Sequence, residues 1–177
     1  ECLWGDDKYQ VAIVMSSYKR WKQEGALIMG TGMGAFLAAI RSTAERDKFP
    51  VMHPIAEAAT LYPPGYVWSS GSSFDESLGR LMKWVIENRW AKSTPPKLAI
   101  MGYDNAYGRA PENAVPWLEN ELGVETVNDG KTIVFPPGAM DTTAQVLRAE
   151  KLGADFIHCM SGNEPATVTK DVGKLGF

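Results

Sequence analysis

Short apolar segments of strand length alternate with segments of helical period along nearly the whole of this 177-residue chain. Val11, Val14, Met15, Tyr18 and Trp21 recur at helical spacing after Asp6 and Asp7, and Gly25 follows as a stop signal. Residues 26–30 read as a buried strand and 30–34 as a glycine-rich turn. Phe36, Leu37, Ile40 and Ala44 then mark one face of a helix. Residues 50–54 predict a second parallel strand, 66–68 a third, and 74–90 a helix carrying Leu78, Leu81, Met82, Val85 and Ile86. Residues 91–96 are polar and proline-rich, the composition of a linker, so two parts are expected, 1–92 and 93–177. Beyond the linker come strands at 97–103, 132–135 and 155–160, and helices at 111–122, 142–152 and 165–174. Pro116 weakens the N-terminal half of the first of these helices. Such alternation implies an α/β fold, with parallel sheets and right-handed crossovers on both sides of the linker. The first part opens on what reads as the end of a strand, residues 1–4, and holds too few strands for a complete sheet. The expectation is a chain cut at both ends.

Charge and composition narrow the function classes. The formal charge of -3 and the lack of a basic face with interleaved aromatics argue against nucleic acid as a partner. No apolar run approaches the roughly 20 residues that span a bilayer, and residues 1–5 lack the parts of a signal peptide. The expectation is therefore a soluble segment, not inserted in a membrane, from which any export signal has been removed. Cys2 and Cys159 have no Cys-x-x-Cys spacing and no neighbouring His pair, so they predict two free thiols, with neither a metal nor a cofactor. His158 and Cys159 adjoin on a strand and point to opposite faces, which rules out a Cys/His pair. No nucleophile elbow or metal-ligand spacing is present, so no catalysis is expected.

The turn Gly30-Thr31-Gly32-Met33-Gly34-Ala35 admits more than one use. Gly30, Gly32 and Ala35 fit the Gly-x-Gly-x-x-Gly/Ala dinucleotide fingerprint, in which free N–H groups at a helix start face a pyrophosphate. That fingerprint also wants an acid about 20 residues on, at the end of the next strand. Met52-His53-Pro54 stands there, and the first acid, Glu57, lies past the proline. The same helix start suits the carboxylate of a small molecule, and a purely structural turn is the third reading.

The sequence resembles the type I periplasmic solute-binding proteins, in the leucine/isoleucine/valine-binding branch that serves ABC transporters. The resemblance rests on the order of Tyr18-Lys19-Arg20-Trp21, Leu27-Ile28-Met29-Gly30-Thr31-Gly32, Phe49-Pro50-Val51-Met52-His53-Pro54 and Tyr66-Val67-Trp68. It continues through Asp104-Asn105-Ala106-Tyr107-Gly108-Arg109, the stretch from Phe135 to Asp141 with Ala144 to Leu147, and Gly153-Ala154-Asp155-Phe156. It implies parts of two doubly wound parallel-sheet lobes, truncated at both ends. The implied function is an extracytoplasmic, periplasmic substrate-binding component of an importer, holding an amino acid or related small carboxylate in an interlobe cleft and delivering it to an ABC permease. A small-molecule sensor or receptor domain of the same fold is the alternative, and a nucleotide-binding enzyme is less favoured. On this resemblance Met33, Gly34 and Ala35 line the ligand's carboxylate, Gly34 standing where relatives often carry a hydroxyl. Ala56 and Glu57 stand where the family holds the ligand's ammonium group with a carbonyl and commonly Ser or Thr. Glu57 is thus a departure, and a solvated loop acid is its other reading. Tyr107 matches the aromatic that covers the ligand from the second lobe, against a plainer role packing on its own helix. Asn163, in the turn 161–164, would add a polar contact.

Overall fold

The computed structural model describes residues 2–8, 10–32 and 34–177, with Ala35 described in its backbone alone. By packing, the chain divides into two units, Glu1–Phe74 and Asp75–Phe177.

In the first unit, α1 (Val11–Gln23) precedes β1 (Met29–Gly30), α2 (Gly34–Asp47), β2 (Val51–His53), α3 (Ala58–Leu61) and β3 (Val67–Ser69). The strands form a parallel sheet in the order β1-β2-β3, with Met29 opposite Val51 and Val51 opposite Val67. These three side chains share a core with Phe36, Leu37, Ile40 and Ala44 of α2 and Val14 and Tyr18 of α1. The apolar face of α2 marked by its period is thus the buried one. The first strand is shorter and less buried than its composition suggests: Leu27 is 86% and Ile28 50% exposed, and only Met29 enters the core. Of residues 1–4, expected to end a strand, residue 1 lies outside the described residues and 2–4 form no strand. The helices α1 and α2 stop on left-handed residues, Gly25 at φ 88 and Lys48 at φ 51. After each, an N–H bonds back into the last turn, from Ala26 to the Trp21 carbonyl and from Phe49 to that of Ala44.

In the second unit, α4 (Phe74–Asn88), which starts at the boundary, is followed by β4 (Lys97–Gly102), α5 (Ala106–Arg109) and a 3-10 turn over Ala110–Ala114. Then come α6 (Val115–Leu122), β5 (Glu125–Thr126), β6 (Ile133–Val134), α7 (Thr143–Lys151), β7 (Phe156–Met160) and α8 (Pro165–Leu175). Pro116 sits in the first turn of α6, where its missing N–H costs nothing, and the segment before it winds as 3-10. Strand β4 is central, parallel to β5, β6 and β7. The carbonyls of Pro96, Leu98 and Gly102 accept from Glu125, Val127 and Phe135, while that of Lys97 accepts from Asp155 beside β7. Because carbonyls alternate sides along a strand, β5 and β6 lie on one edge of β4 and β7 on the other. They are two pieces of one strand, interrupted where Asn128, Asp129 and Gly130 all take positive φ. The residues of β4 alternate between two cores, Ala99 and Met101 on one side with Ile133, Val146 and Val168, and Leu98 on the other with Leu118 and Val124. Burial on both faces is why this strand is continuously apolar.

The packing divides the chain between Phe74 and Asp75, earlier than the expected 92/93. Leu78 and Met82 of α4 bury against Leu98, Ala114, Leu118 and Val124, so the helix belongs to the second unit and residues 89–96 join two elements within it. Cys2 and Cys159 are both free thiols.

Candidate ligand-binding site

Each unit gathers candidate residues at the C-terminal ends of its parallel strands, where ligands bind in open α/β sheets. In the first unit the chain leaves β1 into the glycine turn and leaves β2 into residues 54–57. This second loop is pinned from several directions. His53 Nδ1 accepts the Ile55 N–H at 3.0 Å, the Pro54 carbonyl accepts from Gly71 N at 2.8 Å and Ser69 Oγ at 3.0 Å, and the Ala56 carbonyl accepts from Phe74 N at 3.3 Å. Ala56 is fully buried. Gly34, also buried, opens α2 directly against this loop. A methyl group placed on it would lie 3.5 Å from Glu57 Oε2, 3.5 Å from the Ile55 carbonyl and 3.7 Å from Ala56 Cα. Gly34, Ala56 and Glu57 are therefore brought together. Met33 lies outside the described residues, as does the side chain of Ala35.

Glu57 is the unusual member. Its Oε2 is shielded from solvent and accepts no hydrogen bond among the described residues. A buried acceptor without a donor is destabilising, all the more when it belongs to a carboxylate. The positive end of α2 compensates in part. Gly30 and Gly32 are not required by the packing of the described residues. Neither has positive φ, and a methyl on either would meet nothing within 4 Å, so no strained turn or close backbone approach explains these glycines.

In the second unit Tyr107 lies on the single turn α5, capped by Asn105, whose Oδ1 accepts the Gly108 N–H at 2.8 Å. Half-buried, it donates its hydroxyl to the Ser161 carbonyl at 3.3 Å. Burial pushes its pKa up, with Cys159 and Glu164 adding to the effect. Asn163 is exposed in the same turn as Ser161, so the structure brings the Tyr107 loop and the 161–164 turn together. Arg109 orders the approach, binding Asp104 Oδ1 at 2.7 Å and Glu112 Oε1 at 3.2 Å.

Two residues of this cluster carry more of its architecture than the sequence suggested. Tyr103 donates to Glu164 Oε2 at 2.5 Å and accepts the Gly162 N–H at 3.0 Å. Glu164, 5% exposed, also accepts the Gly138 N–H at 2.6 Å. Burial would raise the Glu164 pKa, but the donors from Tyr103, Gly138 and the start of α8 outweigh it and hold the carboxyl below its usual range. An acid directly before Pro165 at a helix start was the available signal for this role. Among the described residues no group of three or more His, Cys, Asp or Glu is placed to hold a metal ion. Among the described residues no helix is long and apolar enough to cross a membrane.

Comparison with known proteins agrees with this architecture. The family profile of periplasmic binding proteins matches residues 1–177. No curated protein sequence matches the chain. Among solved structures, a branched-chain amino acid ABC transporter protein from Thermus thermophilus with bound valine superposes with a TM-score of 0.87 at 19% identity, covering 100% of this chain and 46% of that one. A periplasmic binding protein from Burkholderia mallei gives 0.81 at 17% identity, covering 99% and 46%. A leucine-binding protein from Thermotoga maritima gives 0.73 at 20% identity, covering 97% and 48%. The chain thus spans about half the length of these relatives and shares their fold.

Proposed function

This chain belongs to the periplasmic binding protein family, and from that premise we propose that the complete protein is an extracytoplasmic substrate-binding component of an ABC importer, taking up an amino acid or related small carboxylate for a permease partner. Its work is binding, without catalysis. In this reading the first unit is part of one lobe and the second part of the other. The start of α2 at Gly34, with Met33 and Ala35 beside it in sequence, receives the ligand's carboxylate. Ala56 and Glu57 take its cationic group, and Tyr107 and Asn163 contribute from the second unit.

The observation that carries the reading is the unpaired, buried Glu57 Oε2 beside Gly34. A plain carboxylate drawn to the positive end of α2 would meet Glu57 as a like charge. An α-amino acid places an ammonium group next to its carboxylate, so one ligand satisfies both the helix start and the unpaired oxygen. The arrangement favours a zwitterion over a simple acid.

Calorimetry on the full-length protein tests this with an amino-acid panel and the matching 2-oxo acids. Tyr107→Ala should weaken binding of the best amino acid by about 10-fold or more. Glu57→Gln should reduce the preference for an amino acid over its 2-oxo acid. Unchanged affinity in Tyr107→Ala, together with unchanged preference in Glu57→Gln, would overturn the assignment.

A further inference from the structure

Tyr107 stands on a helix of one turn, and a turn that short has little rigidity of its own. Its orientation is borrowed. The backbone of α5 rides on Tyr103: a methyl on Gly108 would lie 2.3 Å from Tyr103 N and 2.3 Å from its carbonyl oxygen, so the two segments are in close contact. The Tyr103 and Tyr107 rings lie 6.4 Å apart at 43°. On its other side Tyr103 meets the Phe135 ring edge-on at 5.8 Å. What fixes the far end of Tyr103 is Glu164. One carboxylate oxygen takes the Tyr103 hydroxyl, and that hydroxyl in turn accepts the N–H of Gly162, in the turn whose Ser161 carbonyl takes the Tyr107 hydroxyl. The other oxygen takes the Gly138 N–H from the loop after β6. Three loops, following β4, β6 and β7, therefore meet on one buried carboxylate.

We propose that Glu164 is a positioning residue for ligand binding: through Tyr103 it holds the 161–164 turn and the Tyr107 ring in the arrangement that receives the ligand. The proposal rests on the assignment of Tyr107 to the ligand made above. Its chemistry is specific to a carboxylate. Both oxygens of Glu164 accept, whereas a glutamine offers one acceptor and must turn its NH₂ toward either the Gly138 N–H or the Tyr103 hydroxyl. Removing the Tyr103 hydroxyl breaks the same link from the other end while leaving the ring contacts with Phe135 and Tyr107 in place.

The test uses the full-length protein with 3-fluorotyrosine at position 107 and has two arms. In the ligand-free arm, the fluorine resonance should be single and narrow in the parent. It should broaden and move toward the solvent-exposed value in both Glu164→Gln and Tyr103→Phe, with thermal melts confirming that each is folded. A resonance unchanged in these variants overturns the proposal, and Tyr103→Phe decides alone if Glu164→Gln does not fold. In the binding arm, titration with L-leucine and L-valine should show Glu164→Gln weakening affinity by about 10-fold. The same substitution should have no further effect in a Tyr107→Ala background. Equal weakening in both backgrounds would mark a merely structural role and overturn the proposal. If Tyr107→Ala alone leaves affinity unchanged, the ligand assignment falls, while the fluorine arm still decides whether Glu164 positions the ring.

Discussion

Gly108 has no room for a side chain, since a methyl there would press on the Tyr103 backbone at 2.3 Å with no flexible neighbour to give way. Gly108→Ala should cost about 2–4 kcal/mol in urea unfolding, from the strain of separating α5 and β4. Gly32→Ala should stay within about 0.5 kcal/mol of the parent, because its methyl would meet open space. Equal losses at both positions would refute this account of the glycines. A second residue-scale expectation concerns Tyr18, 1% exposed, whose hydroxyl donates to Asp47 Oδ2 at 3.0 Å. Burial first, and then Asp47, push its pKa from 10.0 up to about 12. Arg46 and Lys22 bind the same carboxylate at 2.9 Å and hold Asp47 well below the ordinary range. The folded state thus keeps the Tyr18 proton more tightly than the unfolded chain does. That stability is complete below pH 10 and is lost as pH rises toward about 12. Tyr18→Phe should flatten this alkaline decline in a series of thermal melts. A decline as steep as in the parent would show that other groups cause it.

Among the elements, α3 depends on a neighbour to end. Its four residues leave carbonyls unpaired at the C-terminus, and Arg41 of α2 gathers them. Nη1 donates to Ala59 at 2.9 Å, Thr60 at 2.7 Å and Tyr62 at 3.0 Å, and Nη2 to Pro63 at 2.8 Å. The planar guanidinium fork makes this possible, and a lysine ammonium does not match it. Arg41→Ala should destabilise the protein by about 1–2 kcal/mol, with Arg41→Lys recovering little of the loss. Full recovery by lysine would show that charge alone is what α3 needs. This contact also steadies the segment directly after Ala56 and Glu57, linking a cap on one element to the geometry of the candidate site.

Across the molecule, carboxylates recur as clamps between elements, and in the second unit four of them share one behaviour. Glu112 takes the Thr132 N–H and Lys131, Asp155 takes the Lys97 N–H and Lys92, and Glu164 takes Tyr103 and Gly138. Asp171, fully buried, takes both the N–H and hydroxyl of Thr142. Burial pushes Glu112, Asp155 and Glu164 up, and their donors more than reverse it; Asp171 is drawn down first by the Thr142 N–H. All four lie below their ordinary values, so the unfolded chain binds protons more readily. Their stabilisation is present above the unfolded values of 4.5 for Glu and 3.8 for Asp, and is lost as pH falls below them. Thermal midpoints should therefore drop progressively below about pH 4.5, and Glu112→Gln should lower the near-neutral midpoint while making the acid decline shallower. A midpoint flat down to pH 3 would remove these clamps from the account.

The order and kind of the main elements were legible in the sequence because they depend on neighbours. The faces of α2 and α4, the continuous apolar run of β4 and the glycine after α1 all report local periodicity and backbone preference. Gly34, Ala56 and Glu57 were singled out together, although only the fold shows that they touch. What remained unreadable depends on partners distant in the chain. The polar pair Glu125–Thr126 is a strand only because β4 offers it an edge, and Leu27 and Ile28 stay exposed because no described segment covers them. Helix α4 has the same amphipathic face whichever unit it joins, and its contacts with Leu98 and Leu118 decide the matter. Glu164 and Tyr103 stand 61 positions apart, and nothing near either residue encodes their bond. The sequence by itself determined which segments are helix or strand, because propensity and period act over a few residues. The tertiary structure decided which unit each segment joins and which carboxylates become clamps, because burial and hydrogen bonding depend on surroundings that form only when distant segments pack.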